Sequence, residues 1–205
     1  FLTFQEVPHK AKGLFAEKFS ATEYERLRFY YEEFIKFGGF PEVALTKKEE
    51  IKKDLLQDII SSYVNIDIQS LADFRKDKEI YELIKMLAVR VGTRLDYTKL
   101  ASLTGLSRHT VEEYIDFFEK TYLVCRIPVY THNTDREIVK AKKVYFCDNG
   151  ILRVLAESSS GTMFENAIYN QLRHHGDIHY YGLKDGSEVD FVLNNKITFF
   201  LIGFL

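Results

Sequence analysis

Three carboxylates near the end of the chain have the types and spacing that could do chemistry: Glu165, Glu188 and Asp190. Glu188-Val189-Asp190-Phe191-Val192-Leu193 reads as a strand, so Glu188 and Asp190, two apart, share one face. Glu165 lies in a helical run, Met163 to His174, with Phe164, Ala167, Ile168 and Leu172 directed inward. Carboxylates on a helix and an adjacent strand can converge on one Mg²⁺, which takes oxygen ligands in octahedral geometry. Glu165, Glu188 and Asp190 are therefore candidate metal ligands. The competing reading is a half-exposed strand with solvent-facing carboxylates, and alternation alone permits it.

A second chemistry is phosphate contact. From Arg90 to Arg108 the cations Arg90, Arg94, Lys99 and Arg108 face only Asp96, a local charge of +4 − 1 = +3. From Arg126 to Lys143, Arg126, Arg136, Lys140, Lys142 and Lys143 outweigh Asp135 and Glu137, +5 − 2 = +3. Base edges are met by the first residues of a recognition helix, here Arg108, His109 and Glu112, and phosphates by flanking cations such as Arg94, Arg136 and Lys140. Glu112, Glu113 and Asp116 make the same helix acidic beyond its first turn, which leaves protein docking as the alternative use of this surface.

Other chemistries find no motif. No Gly-x-x-x-x-Gly-Lys-Ser/Thr loop cradles a triphosphate, and no Gly-x-Ser-x-Gly elbow presents a nucleophile. The two cysteines, Cys125 and Cys147, read as core thiols and have no zinc spacing with the six histidines. His174-His175 closes a helix, where it suits the helix dipole.

These residues need elements to place them. Helical spacing runs through Tyr24, Leu27, Tyr30, Tyr31, Phe34 and Phe37, with Thr22 and Glu25 as a capping box and Gly38-Gly39-Phe40-Pro41 as the stop. A second helix, about Lys48 to Ile60, carries the stripe Ile51, Leu55, Ile59 and Tyr63. A third includes Ile80, Leu83, Ile84, Leu87, Ala88 and Val91 and stops at Gly92. A short helix with Leu100, Ala101 and Leu103 inside ends at Gly105, and Ser107 caps the next, with Val111, Tyr114, Ile115 and Phe118 inward. Two helices joined by a short glycine-containing turn are a helix-turn-helix signature. The strand-like runs Leu123 to Tyr130 and Lys143 to Cys147 then form a hairpin with a long polar tip, a wing. Ser158-Ser159-Ser160-Gly161 marks a linker or loop before the last helix.

The expected fold class is α+β: a helical segment over 1–72, a winged helix-turn-helix over 73–150 and a partial α/β unit over 151–205. The length of 205 residues fits one large domain or a few small ones, at ~150 residues per domain. A charged fraction of 28% and a hydrophobic fraction of 46% exclude a wholly disordered chain. The net charge of −2 means that any nucleic-acid contact must be local. Two cysteines and no apolar run of about 18 residues point to a cytoplasmic chain without a membrane partner. The start, Phe1-Leu2-Thr3-Phe4-Gln5-Glu6, reads as a point inside a longer protein.

Several short motifs occur in a fixed order. They are Phe1-Leu2-Thr3-Phe4-Gln5-Glu6, Gly38-Gly39-Phe40-Pro41-Glu42-Val43, Asp67-Ile68 and Leu106-Ser107-Arg108-His109-Thr110-Val111-Glu112-Glu113-Tyr114. Lys143-Val144-Tyr145-Phe146-Cys147-Asp148-Asn149-Gly150, Phe164-Glu165-Asn166 and Glu188-Val189-Asp190-Phe191-Val192 follow. Together they resemble the C-terminal half of archaeal and bacterial AAA+-type ATPases that carry a winged helix and a restriction-endonuclease-like domain. The resemblance implies a helical lid around Gly38-Gly39, an endonuclease-like last unit, and Glu165 and Asp190 as its catalytic carboxylates. Nuclease relatives need an acidic-x-Lys pair on the following strand, and Phe199-Phe200-Leu201-Ile202-Gly203-Phe204-Leu205 has neither. The expected function is thus a DNA-associated regulatory region of an ATPase. ATP would bind only through an upstream domain, with no cofactor held by this chain beyond Mg²⁺. A metal-dependent nuclease and a protein-interaction scaffold stand as the alternatives.

Overall fold

Serine and glycine punctuate the first helix. In a computed structural model of the chain, described over residues 20–68, 77–131, 133, 137, 140–183 and 187–193, helix α1 spans Ala21–Phe37. Its capping box is Ser20 with Glu23, not Thr22 with Glu25: Glu23 N donates to Ser20 Oγ at 3.2 Å and Ser20 N to the Glu23 carboxylate at 3.4 Å. Both pairs fit the Ser/Thr-x-x-Glu pattern, and the upstream one wins because Ala21 and Thr22 extend the helix at no steric cost. Gly38 ends α1 at φ +75°, a conformation that favours glycine.

Proline starts α2 (Pro41–Leu45), and α3 (Glu49–Ser62) runs into a π-helical turn, Tyr63–Ile68. The buried stripe of α3 is one residue out of step with the sequence expectation. Lys52, Leu56 and Ile60 are buried, whereas Ile51 is exposed. Lys52 tolerates this because its methylene stem packs inward while its ammonium lies over the Phe37 ring at 4.9 Å and pairs with Glu33.

Helices α4 (Asp77–Ala88), α5 (Tyr97–Thr104) and α6 (Arg108–Lys120) precede an antiparallel hairpin, β1 (Val124–Ile127) with β2 (Lys143–Phe146). Gly105 at φ +69° and Ser107, which caps α6 through Thr110 N at 3.0 Å, stand where expected. Val111, Tyr114, Ile115 and Phe118 are all buried, but Leu103 is exposed. Next come α7 (Asn149–Leu155), which the sequence reading did not resolve, and α8 (Ser160–Leu172). Ser159 caps α8, so the serine run forms a helix start and not only a linker. A second antiparallel hairpin, β3 (Ile178–Gly182) with β4 (Glu188–Leu193), completes the described chain.

The two hairpins touch. Tyr130 N donates to the Tyr180 carbonyl at 2.6 Å, and Tyr180 N to the Pro128 carbonyl at 3.0 Å, so the chain beyond β1 runs alongside β3. One apolar core extends from Phe37, Val43 and Leu56 through Ile80, Leu87, Val111 and Val144 to Phe191 and Leu193. Residues of all three expected spans share it, which fixes the last hairpin against the first. The fold class is α+β, with small antiparallel sheets among helices. Phe1–Glu6, Arg136, Lys184, Lys196 and Phe199–Leu205 lie outside the described residues.

Candidate functional site

Glu188 and Asp190 meet at a buried lysine, Lys143, which sequence reasoning counted in the positive cluster of the first hairpin. Lys143 opens β2 and is 3% exposed. Its Nζ is 2.9 Å from Glu188 Oε2 and 3.0 Å from Asp190 Oδ1. The two-residue spacing on β4 therefore does what alternation allows: Glu188 and Asp190 turn the same way, while Val189 and Phe191 enter the core. Arg94 reaches the same group. Its guanidinium pairs with Glu188 and lies 5.4 Å from the Tyr180 ring centroid, and Lys143 Nζ lies 5.5 Å from that centroid.

Glu165 comes from the first turns of α8. Tyr145 OH donates to its Oε1 at 2.7 Å. The loop after α4 closes over this carboxylate: a Cβ on Gly92, at φ +76°, would lie 2.6 Å from Glu165 Oε1. Gly92 is thus both the expected helix stop and the only residue type that fits against the acid. Burial pushes the Glu165 carboxyl up from its ordinary value; the Asp190 and Glu188 charges add to the rise, and the Tyr145 bond and Lys143 oppose it. Each carboxylate therefore lies within the electrostatic reach of the others. Lys143 is raised by its hydrogen bonds to Glu188 and Asp190 in spite of burial, which lowers it. Glu188 is lowered by Lys143 and Arg94 against its own desolvation.

The side chains are held by a buried amide relay. Phe146 N donates to Asn166 Oδ1 at 2.9 Å, and Asn166 Nδ2 donates to the Phe146 carbonyl at 3.0 Å and to Asn149 Oδ1 at 2.8 Å. Asn149 Nδ2 in turn donates to the carbonyls of Ile35 and Met163 at 3.0 and 2.8 Å. Asn166 acts like one more strand beside β2, and this fixes Glu165, its neighbour in sequence, opposite Tyr145. Asp148 precedes Asn149 in the same turn. Its Oδ1 accepts from Gly150 N at 2.7 Å and Ile151 N at 3.1 Å, capping α7, and its Oδ2 accepts from Gly39 N at 2.7 Å. A Cβ on Gly150 would overlap the Phe37 carbonyl oxygen, and one on Gly38 the Asp148 carboxylate. The Gly38-Gly39 turn and the Asp148-Asn149-Gly150 turn are thus locked together across 109 residues of chain.

Among the described residues no group of three His, Cys, Asp or Glu side chains is arranged to hold a metal ion. A lysine ammonium bridges Glu188 and Asp190, the role a divalent cation would take. Glu188 and Asp190 thus form a lysine-bridged acidic pair.

The residues expected at DNA are distributed otherwise. Arg108 pairs with Glu112 at 2.9 Å and His109 with Glu113 at 3.2 Å, each one turn along α6. Arg126 pairs with Asp116 at 2.7 Å and with Glu119. Over Arg108–Lys120, Arg108 and Lys120 face Glu112, Glu113, Asp116 and Glu119, +2 − 4 = −2. By contrast Lys140 and Lys142 lead into β2, where Leu95 N donates to the Lys142 carbonyl at 2.8 Å, while the neighbouring Arg94 pairs with Glu188. Arg94 and Lys140 are exposed and Lys142 half-buried there.

Residues 28–162 match the domain of unknown function DUF8612. The chain belongs to that family. It is 29% identical over 187 residues to an uncharacterized protein of Methanocaldococcus jannaschii, covering 86% of this chain and 42% of that protein. It is also 29% identical over 171 residues to an uncharacterized protein of Haemophilus influenzae, covering 79% of this chain and again 42% of the relative. The chain thus spans about two fifths of the length of these relatives. No solved structure matches it. The DUF8612 match includes Asp148, Lys143, Tyr145 and both glycine turns, and it ends just before Glu165. Among the described residues no helix is long and apolar enough to cross a membrane.

Lys143 and Asp148 are the site residues that sequence reasoning missed. The available signal for Lys143 was a lone cation opening the apolar run Val144-Tyr145-Phe146. For Asp148 it was the Asp-Asn-Gly turn itself, a side-chain cap in waiting.

Proposed function

We propose that this chain is the DNA-associated regulatory region of a longer AAA+-type ATPase, with α4–α6 and β1–β2 as a winged helix and the last hairpin as part of an endonuclease-like unit. The observation that carries the reading is the lock between Gly39 and Asp148. It joins the helical segment α1–α3 to the turn that follows β2, so a shift of one segment moves the other. A lid that follows nucleotide state would use such a joint to reach the winged helix. The greater length of both relatives leaves room for a nucleotide-binding domain.

DNA meets the hairpin edge of Lys140 and Lys142 in this reading, and not the α6 face. An acidic, internally paired helix repels phosphate, whereas cations on an exposed edge release counterions on binding. Titration of a labelled duplex at rising salt tests this. About two phosphate contacts give a log–log slope near −1.8. The double variant Lys140→Glu, Lys142→Glu should abolish binding, and absence of binding at low salt would remove DNA from the proposal.

The α6 charges favour a second reading, in which this helix docks a basic protein surface. Reversal of Glu113 and Asp116 to lysine separates the two. It should strengthen duplex binding if DNA is the partner, and leave it unchanged while weakening association with the remaining part of the longer protein if α6 is a protein contact.

A further inference from the structure

The two cysteines, read from sequence as inert core thiols, meet at the end of the first hairpin. Cys125 lies in β1, opposite Tyr145; Cys147 follows β2, and its N–H donates to the Leu123 carbonyl at 3.1 Å. This diagonal placement on one face brings the sulfurs to 3.2 Å, closer than two unbonded sulfur atoms in ordinary contact. Neither is sealed: both are half-buried. A cleft of about 490 Å³ opens onto Cys147, with Asp148, Asn170, Arg173 and His174 among its walls. Arg173 with Tyr169 also lines a second cleft of about 400 Å³.

The charged and titratable groups around the pair are few. Arg173, just past α8, places Nη1 4.0 Å from Cys125 Sγ and donates from Nη2 to the Cys147 carbonyl at 3.5 Å. Tyr169 interacts with the Cys125 sulfur from the same helix. The hydrogen bond with Cys147, aided by Tyr169 and Arg173, draws the Cys125 thiol down to about 6, and Cys147 is held above its ordinary value by that same bond and by burial. With the Arg173 guanidinium beside Cys125, one sulfur is drawn toward the thiolate and its neighbour toward the thiol, the division of labour that dithiol oxidation needs.

We propose that Cys125 and Cys147 form a reversible dithiol–disulfide site, with Cys125 as the attacking sulfur, Cys147 as the resolving one and a small hydroperoxide as the oxidant. The Cys125 thiolate attacks the terminal peroxide oxygen. The sulfur–oxygen bond forms as the O–O bond breaks, the sulfur is oxidised to a sulfenic acid that keeps the peroxide proton, and the departing alkoxide or hydroxide takes a proton from solvent to leave as an alcohol or water. Cys147 then attacks the Cys125 sulfur. The S–S bond forms, and the sulfenic oxygen leaves with the Cys147 proton as water. Closure from 3.2 Å to a bond of about 2.05 Å needs a shift of roughly one ångström at the hairpin end. Cys147 immediately precedes Asp148, so the bond braces β1 against the joint that holds Gly39. This site stands apart from the DNA proposal and does not depend on it.

The test treats the whole chain with hydrogen peroxide under native conditions and follows thiols and mass. Both thiols should disappear together, with a mass lower by two hydrogen atoms, no change in oligomeric state and full reversal by dithiothreitol. In Cys147→Ser, Cys125 should accumulate as a sulfenic acid that dimedone traps. In Cys125→Ser, the remaining thiol should react with peroxide at least about tenfold more slowly, because it stays protonated. Two thiols that remain titratable, oxidation only to sulfinic or sulfonic acid, or a disulfide formed only between molecules would each overturn the proposal. The measurement on the unaltered chain decides it even if a variant fails to fold.

Discussion

Two buried polar centres, one at Asp148 and one at Lys143, solve the same electrostatic problem in opposite ways. Asp148 is surrounded by backbone: three N–H groups from Gly39, Gly150 and Ile151 converge on its two oxygens. Lys143 is surrounded by side chains, with Glu188, Asp190 and, one step away, Arg94 and Glu165. Backbone donors cannot change charge or swing away, so the Asp148 centre is a joint. Ionisable partners can exchange protons and re-pair, so the Lys143 centre responds to pH. Burial raises both Asp148 and Glu165, yet the two acids should answer mutation differently because their donors differ in kind.

The joint should be the more brittle of the two. Gly150→Ala drives a methyl group into the Phe37 carbonyl oxygen, and neither backbone has room to retreat. We expect a loss of about 3 kcal/mol or more in chemical denaturation. Near wild-type stability would mean that α1 and α7 are not held in contact. At the second centre, Lys143→Met leaves Glu188 and Asp190 facing each other. A fully buried pair broken this way costs about 3–5 kcal/mol, and the partial exposure of both acids, 25% and 22%, lowers our expectation to about 2–3 kcal/mol.

The pH dependence of these two variants sharpens the contrast. Lys143 is raised above its unfolded value of 10.5, so its contribution is complete below that pH and is lost as pH rises through the higher folded value. Glu188 is lowered below 4.5, so its contribution is present above that pH and is lost as pH falls through the lower folded value. Lys143→Met should flatten both limbs of the stability profile; unchanged limbs would show that the ion pairs contribute nothing.

Asp148→Asn should cost about 2 kcal/mol, since the new amide turns a donor toward N–H groups that need acceptors. Glu165→Gln should do the reverse and raise stability by up to about 1 kcal/mol at neutral pH. A raised folded value means that ionising Glu165 opposes folding above 4.5, so the gain from Gln should fade as the pH is lowered toward that value. Thermal melts of both variants from pH 4 to pH 8 check the pair. Equal losses would erase the distinction between joint and responsive cluster.

Much of the local architecture was legible. The inward residues of α6, the Gly105 and Ser107 boundaries and the shared face of Glu188 and Asp190 follow from helical and strand periods, and all appear. Sequence reasoning also set Glu165 beside those two acids as candidate metal ligands, and the Asp190 and Glu188 charges reach Glu165. The failures have one form. Lys52 replaced Ile51 on the buried face of α3, and Lys143, counted with the hairpin's positive cluster, is buried against Glu188 and Asp190. In each case a charge found a partner that composition counts treat as an independent surface charge.

By itself the sequence determined what depends on neighbours within a turn or a pleat: caps, stops, the apolar stripe of α6 and the two-residue register of the acids. Tertiary structure alone decided which distant groups meet. Asp148 reaches Gly39 across 109 residues, Lys143 reaches Asp190 across 47, and Cys125 touches Cys147 across 22. The physical reason is range. Dihedral preferences and i to i+4 contacts are written in adjacent residues, whereas the partner of a buried charge is set by which elements share the core, and a change of one residue in packing register would give each of these groups a different neighbour.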